Sequence, residues 1–320
     1  MSLRSLFILP TNYCTLNCAH CAIHDITKPR CDLNLDTVEK LIQDASAHQF
    51  NMLVISGGGE PLTVDESILT RILQASNKEN IYSRVVTNAY WATSFEETMR
   101  RLRPLVENGL RQVVVSVSEG HQKYVKYDHI LHVAKATNAL NLNCYLYLTT
   151  LNVKTDPLQE IVHFFAKRNE PLPYIQTANY FIPFGNAADN FDKSDFQLID
   201  DNKLRGACPS AGNNICVHPS GTVTCCAMVF ALNVKALHIG DIYRDSLAHI
   251  MQRLESNRLM QWLATYGIVA LKEAVEKHTD LRFSDKHVNM CHLCCEMLLH
   301  PRVLQFLQQA NIIHEQSCKI

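Results

Sequence analysis

The sequence predicts a parallel α/β fold followed by a cysteine-bearing extension, and three observations lead there. Up to residue 182, six β-rich runs alternate with segments of helical apolar spacing. The glycines, the first cysteines and several isolated polar residues fall just after those runs, where ligands collect in parallel α/β folds. After about residue 185 the alternation stops and a hairpin signal takes over.

The runs are 6–10 (LFILP), 52–56 (MLVIS), 83–87 (SRVVT), 112–118 (QVVVSVS), 143–150 (NCYLYLTT) and 174–182 (YIQTANYFI). Over 36–49, Val38, Leu41, Ile42 and Ala45 share one helical face and Asn34 is placed to cap it. Over 96–108, Met99, Leu102, Leu105 and Val106 do the same, and Gly109 is a stop. The segments 125–140 and 158–168 have the same spacing. Periodicity alone leaves an open sheet and a barrel both possible. The polar stretch 185–205 reads as a connector. A hairpin follows, with the turn His218-Pro219-Ser220-Gly221, and helical spacing returns near 244–262, 268–278 and 300–314.

Thirty Lys+Arg against 31 Asp+Glu leave a formal charge of −1. That balance argues against a partner gripped by bulk charge, so neither nucleic acid nor an anionic membrane is expected. The apolar run Leu6 to Leu9 ends at Pro10, too short for a signal peptide, and no run spans a bilayer. A cytoplasmic protein is expected, where clustered cysteines bind metal or do chemistry more often than they form disulfides. The 13 cysteines are clustered: Cys14, Cys18, Cys21 and Cys31 near the start, and Cys208, Cys216, Cys225, Cys226, Cys291, Cys294 and Cys295 later, with Cys144 and Cys318 apart.

CTLNCAHC spaces Cys14, Cys18 and Cys21 as C-x3-C-x2-C. With His20 or His24 these could make a zinc knuckle. Three thiolates on one loop can instead hold three irons of a 4Fe–4S cluster and leave the fourth open to a ligand. The second run ends in ISGGGEP, residues 55–61, whose glycines let backbone approach a ligand closely.

With these two motifs together, the chain resembles the radical SAM superfamily over residues 1 to about 182. The resemblance implies a partial (β/α)6 TIM barrel with a cluster at its mouth. It implies S-adenosylmethionine bound to the open iron and reductively cleaved, giving a 5′-deoxyadenosyl radical that abstracts hydrogen from an unactivated C–H. Gly57, Gly58, Gly59 and Glu60 match the methionine-binding stretch of the family. Ser116, Ser118 and Glu119 match the strand end that meets the ribose, and Asn88 matches a "TNG" ending in which Ala89 replaces the glycine. His20 stands where the family often has a larger aromatic residue near the adenine. His121 follows at the same mouth and is a further contact candidate.

The second cysteine group reads CPSAGNNICVHPSGTVTCC and CHLCC. Spacing alone does not separate a four-thiolate zinc site from an iron–sulfur site. The stretch resembles the SPASM/twitch extensions of radical SAM enzymes, in its shorter twitch-like form of β-hairpin plus helix. That implies a second, auxiliary 4Fe–4S cluster on Cys208, Cys226, Cys291 and Cys294, with Cys225 and Cys295 as alternates. The expected division is 1–185 for the barrel core, 186–205 for the connector and 206–320 for the auxiliary domain, with a helical insertion and a C-terminal helix. Cys31, Cys225 and Cys295 are candidate hydrogen-atom donors.

The expected activity is dehydrogenation or epimerisation of a small polar metabolite or natural-product intermediate, in a layout similar to 2-deoxy-scyllo-inosamine dehydrogenase. The auxiliary cluster would assist electron transfer, and a flavodoxin- or ferredoxin-type protein would donate the electron. The alternative is a peptide-modifying enzyme that makes crosslinks, epimers or oxidised residues. The first run starts near residue 6, leaving no room for a leader-binding domain ahead of the barrel, which favours the small molecule. A pure electron carrier or a zinc-stabilised binding protein is disfavoured by GGGEP, since neither needs a methionine-binding loop.

Overall fold

The computed structural model describes residues 4–22, 29–152, 154 and 157–312. His24 and Cys318 lie outside them. Six parallel strands run in chain order: β1 (Arg4–Ile8), β2 (Phe50–Ile55), β3 (Tyr82–Thr87), β4 (Leu110–Val117), β5 (Asn143–Thr150) and β6 (Tyr174–Tyr180). The crossovers carry α1 (Leu35–Ala45), α2 (Glu66–Lys78), α3 (Phe95–Glu107), the short α4 (Glu119–Gln122), α5 (Tyr127–Ala139) and α6 (Pro157–Lys167).

Each crossover helix buries one stripe. In α1 the buried residues are Val38, Leu41, Ile42 and Ala45, and the Asn34 side chain accepts the Thr37 N–H at 3.2 Å, capping the first turn. Helix α2 was not expected from the sequence. Asp65 caps it by accepting the Ser67 N–H at 2.8 Å, and Leu69, Ile72 and Leu73 supply its buried stripe. Against these helices the sheet presents Leu53, Val85, Val113, Val115 and Leu146, all essentially buried. Burying each such side chain contributes about 1.5–3 kcal/mol against conformational entropy. The alternate residues of the same strands face the other way and are much more polar.

The hairpin is not a separate layer. β8 (Asn214–Val217) pairs parallel with β1, Leu6 opposite Ile215, and β9 (Thr222–Thr224) and β10 (His238–Asp241) add antiparallel strands beyond it. The result is one nine-stranded sheet, β10-β9-β8-β1-β2-β3-β4-β5-β6, open between β6 and β10. It is a partial barrel that does not close. The connector holds α7 (Asn186–Asn190) and β7 (Ile199–Asp200), the latter paired with β11 (Lys286–His287).

The stretch near 244–262 forms two helices, α8 (Leu247–Glu255) and α9 (Arg258–Thr265). Asn257 restarts the second by accepting the Met260 N–H at 3.0 Å. Then come α10 (Gly267–His278), α11 (Met290–Leu299) and α12 (Pro301–Gln309). Helix α11 carries CHLCC, a stretch to which the sequence alone assigned no secondary structure.

Candidate functional site

The parallel strands deliver their C-terminal ends to one edge, and the loops there interlock. The Glu60 N–H donates to the Tyr13 carbonyl at 2.8 Å. A Cβ on Gly59 would lie 2.0 Å from that same oxygen, and one on Gly57 would lie 2.2 Å from the Gly59 oxygen. A side chain at Gly59 therefore could not be added without moving the loop that leads to Cys14, nor one at Gly57 without reshaping the glycine loop itself. At Gly58 the nearest atom is the Leu9 side chain, at 3.0 Å.

Glu60 is buried beneath this loop. Its carboxylate accepts the Thr87 hydroxyl at 2.7 Å, the Asn88 N–H at 2.8 Å and the Leu62 N–H at 3.1 Å. Burial pushes the acid up to about 7 although these three donors pull the other way. With its oxygens engaged, Glu60 braces the end of β2 to the end of β3. The backbone of Gly57 to Gly59 is what this stretch can offer a ligand.

Asn88 extends from the same brace, its side-chain amide 3.7 Å from the Cys14 sulfur. Ala89 adopts φ 62°, the left-handed conformation a glycine would take without steric cost. The departure from "TNG" thus keeps the backbone turn.

The Cys14 sulfur also accepts the Leu16 N–H at 3.5 Å. Cys18 packs with Leu16 and Val125, and Cys14, Cys21 and Tyr90 border that small apolar group. Burial pushes Cys14 up to about 11, with the charges of Glu60 and Cys21 adding to it. Burial pushes Cys18 to about 12, helped by Cys21 and Cys14. Buried thiols that raise one another are poor anions alone, and a bound cationic metal group reverses that by holding them as thiolates. The donor set and the glycine-tight cradle beside it fit a cluster with an amino-acid-bearing ligand.

Tetrahedral ligands at about 2.3 Å from zinc lie about 3.8 Å apart. Among the described residues, the metal-ligating atoms that gather within 4.8 Å of one another are those of Cys18, His20 and His121, which omits Cys14 and Cys21.

The His20 ring stacks on Phe181 at 4.0 Å and meets His121 edge-on at 4.9 Å. A Cβ on Gly120 would lie 2.0 Å from His20 Nδ1. Burial lowers His20 to about 3, reinforced by His121 and Lys123, so the ring stays neutral. Ser118 caps α4, and its hydroxyl is 2.7 Å from His121 Nδ1. One Glu119 oxygen accepts the Leu151 N–H at 2.6 Å. Ser116 lies two residues before Ser118 on the same face of β4 and is half-buried.

The second cysteine group closes on its own cavity, of about 40 Å³, lined by Cys208, Cys225, Cys226, Cys291 and Cys294 among others. Met260 and Leu263 of α9 and Ile268 of α10 complete the wall, so the insertion caps the site. Cys291 and Cys294 come from one face of α11, which begins at Asn289 with the His292 N–H on its side chain at 3.0 Å. Burial raises Cys294 well above its usual value, and the charges of Cys226, Cys291 and Cys208 add to it.

The alternates differ from this set. Cys225 lines the cavity, but its thiol donates to the Leu237 carbonyl at 3.2 Å. Cys295 is buried in the core and outside the cavity wall. The Cys31 thiol donates to the Pro219 carbonyl at 3.3 Å, tying it to the hairpin turn.

Sequence reasoning assigned no role to Thr87, the anchor of the Glu60 brace, nor to Arg84. Arg84 alternates along β3 with the buried Ser83 and Val85, a charged residue at a period-2 position that the sequence already shows.

Residues 8–165 match the family model described as Radical SAM superfamily. Among solved structures, anSMEcpe with bound AdoMet aligns at a TM-score of 0.55 and 14% identity, over 98% of this chain and 96% of that one. BtrN in complex with AdoMet and 2-DOIA aligns at 0.51 and 14% identity, over 84% and 89%. A further anSMEcpe structure, with AdoMet and a peptide, aligns at 0.55 and 12% identity, over 96% and 99%. At these identities the likeness is one of fold. No curated protein matches the sequence. Among the described residues, no helix is long and apolar enough to cross a membrane.

Proposed function

We propose that the chain is a radical SAM enzyme, a reading supported by the match of residues 8–165 to that superfamily's model, and that it cleaves S-adenosylmethionine reductively and removes hydrogen from an unactivated carbon of a small polar metabolite. Cys14, Cys18 and Cys21 would hold the cleaving 4Fe–4S cluster. Once bound, that cluster and S-adenosylmethionine supply a radical at the 5′ carbon of the adenosyl group.

The protein's own residues then divide the work. The backbone of Gly57 to Gly59 would receive the amino and carboxylate groups of the cofactor, and Asn88 would border them. Glu60 holds that loop in place through Thr87 and Asn88. Ser116, Ser118 and Glu119 would meet the ribose, and His20, stacked on Phe181, would border the adenine.

Cys208, Cys226, Cys291 and Cys294 would hold the auxiliary cluster of a twitch-like domain. The observation that carries this is their convergence on one capped cavity from positions 86 residues apart (294 − 208). Four protein ligands leave no open iron, so the auxiliary site would take an electron rather than ligate substrate, and the net reaction would be an oxidation. The small electron donor would be a flavodoxin- or ferredoxin-type protein.

Anaerobic reconstitution tests this reading, with iron and zinc analysis followed by addition of S-adenosylmethionine and a strong reductant. About eight irons per chain, as two four-iron clusters require, together with 5′-deoxyadenosine are expected. About four irons with stoichiometric zinc would make the second site structural. Absence of 5′-deoxyadenosine would remove the radical reading.

A further inference from the structure

On the inner face of the partial barrel, Arg84 meets no ion-pair partner among the described residues. A cavity of about 510 Å³ lies at the start of the strands, lined by Tyr82, Arg84, Gln112, Tyr145 and Gln176 among others. Each of these is a strand residue turned away from the crossover helices, and β3, β4, β5 and β6 each contribute. Arg84 Nε is shielded from solvent and has no hydrogen-bond partner, and among the described residues the guanidinium forms no ion pair. Gln112 is nearly buried, and among the described residues its side-chain amide and that of Gln176 meet no protein partner. Among the described residues, no acidic side chain lines the cavity.

Arg84 is partly buried, and a shielded guanidinium nitrogen without a partner is costly unless something fills the role. Several other arginines of this chain are paired: Arg71 with Glu39 and Asp36, Arg100 and Arg101 with Glu97, Arg253 with Asp245. Arg84 is set apart from these by its position inside the sheet.

We propose that Arg84 and Gln112 bind a carboxylate, and that this carboxylate belongs to the substrate. The guanidinium offers a planar fork that matches a carboxylate with two parallel hydrogen bonds. Charge decides between oxyanions: one cation balances a carboxylate, whereas a phosphate group at about −1.5 to −2 would leave negative charge buried. Asn88 directly follows β3, four residues after Arg84, about 13 Å away at about 3.3 Å per extended residue. A substrate anchored at Arg84 would have to span that distance along the strand to reach the edge where Asn88 meets Cys14. The identification as substrate rests on the proposed function; the carboxylate site itself does not.

Calorimetric titration of the reconstituted protein with succinate, and in parallel with inorganic phosphate, tests the site in wild type, Arg84→Gln and Arg84→Met. Saturable succinate binding is expected, stronger than phosphate binding and weakened about tenfold or more in both variants, as for a lost charge-assisted pair. Thermal denaturation without ligand separates binding from structure: Arg84→Met should melt at or above the wild-type temperature, because it removes an unpaired charge. Equal succinate affinity in Arg84→Gln, no saturable binding, or tighter phosphate than succinate would overturn the proposal, and so would a lower melting temperature for Arg84→Met. Cleavage of S-adenosylmethionine by the wild type, scored separately, decides the underlying reading. Succinate binding without cleavage would leave a carboxylate site that is not a substrate site of this reaction.

Discussion

The hydroxyl of Thr87 donates to the Glu60 carboxylate at 2.7 Å, and this bond joins the glycine loop after β2 to the strand end that presents Asn88 to Cys14. The candidate cofactor site is thus a single braced unit rather than two adjacent motifs. Burial puts the Glu60 acid at about 7, above its usual value. A carboxyl raised on folding contributes stability that is full below its unfolded value near 4.5 and is lost as pH rises through about 7. Wild type should therefore lose about 2–3 kcal/mol of stability between pH 5 and 8 from this group, and Glu60→Gln should lose that component of the slope. The substituted amide would also set its own N–H against a backbone N–H, so at pH 5 the variant should be less stable by about 1–3 kcal/mol. Denaturant melts at the two pH values measure both.

Gly59 and Gly58 should respond in order of what a Cβ meets. At Gly59 the obstacle is backbone, the Tyr13 oxygen at 2.0 Å; at Gly58 it is the end of a leucine side chain at 3.0 Å. Gly59→Ala should lower 5′-deoxyadenosine formation at least about tenfold, the scale of about 1.4 kcal/mol, and Gly58→Ala by less. Rates compared at equal iron content read this directly, and equal losses would contradict it.

The cavity set predicts which cysteines carry iron in the C-terminal region. Cys226→Ala should drop iron from about eight to about four per chain. Cys225→Ala and Cys295→Ala should keep it and cost about 1 kcal/mol of stability through the small voids left. Iron analysis with thermal melts separates the two outcomes, and iron loss in Cys225→Ala would exchange the two neighbours.

His287 anchors the helix that bears Cys291 and Cys294. Its two ring nitrogens lie 2.7 Å from Asp201 and 2.8 Å from Glu296, while Asp201 also receives Lys272 at 2.9 Å. Burial pulls His287 down, but the hydrogen bonds to Glu296 and Asp201 and their charges outweigh it and hold the ring above its usual value. A histidine raised on folding contributes stability that is full below pH 6.5 and fades as pH rises through the folded value. His287→Gln should therefore be more destabilising at pH 6 than at pH 8.5, by thermal melts. A difference that grows with pH would contradict the clamp.

The first site was legible in the sequence because its chemistry is local: Cys14 to Cys21 and Gly57 to Glu60 are each contiguous, and alternating periodicity places both after strands. The four ligands proposed for the auxiliary cluster were also readable, and one cavity gathers them. What stayed hidden depended on distant pairing. Nothing in residues 214–217 signals that they lie beside 5–8 in a parallel ladder. Helix α11 was obscured because MCHLCCEMLL is apolar nearly all round, leaving no one-sided stripe to read. Arg84 was visible as a charged residue in a strand, but its lack of a partner emerges only when four strands enclose it.

Everything proposed for the barrel mouth depends on Cys14, Cys18 and Cys21 holding the group that cleaves S-adenosylmethionine. The decisive quantity is the 5′-deoxyadenosine formed under strictly anaerobic reducing conditions by wild type and Cys14→Ala, each reconstituted with iron and sulfide. Wild type should form stoichiometric or greater product, and Cys14→Ala none, while that variant should retain about four irons at the auxiliary site. Product from Cys14→Ala at the wild-type level would contradict the assignment.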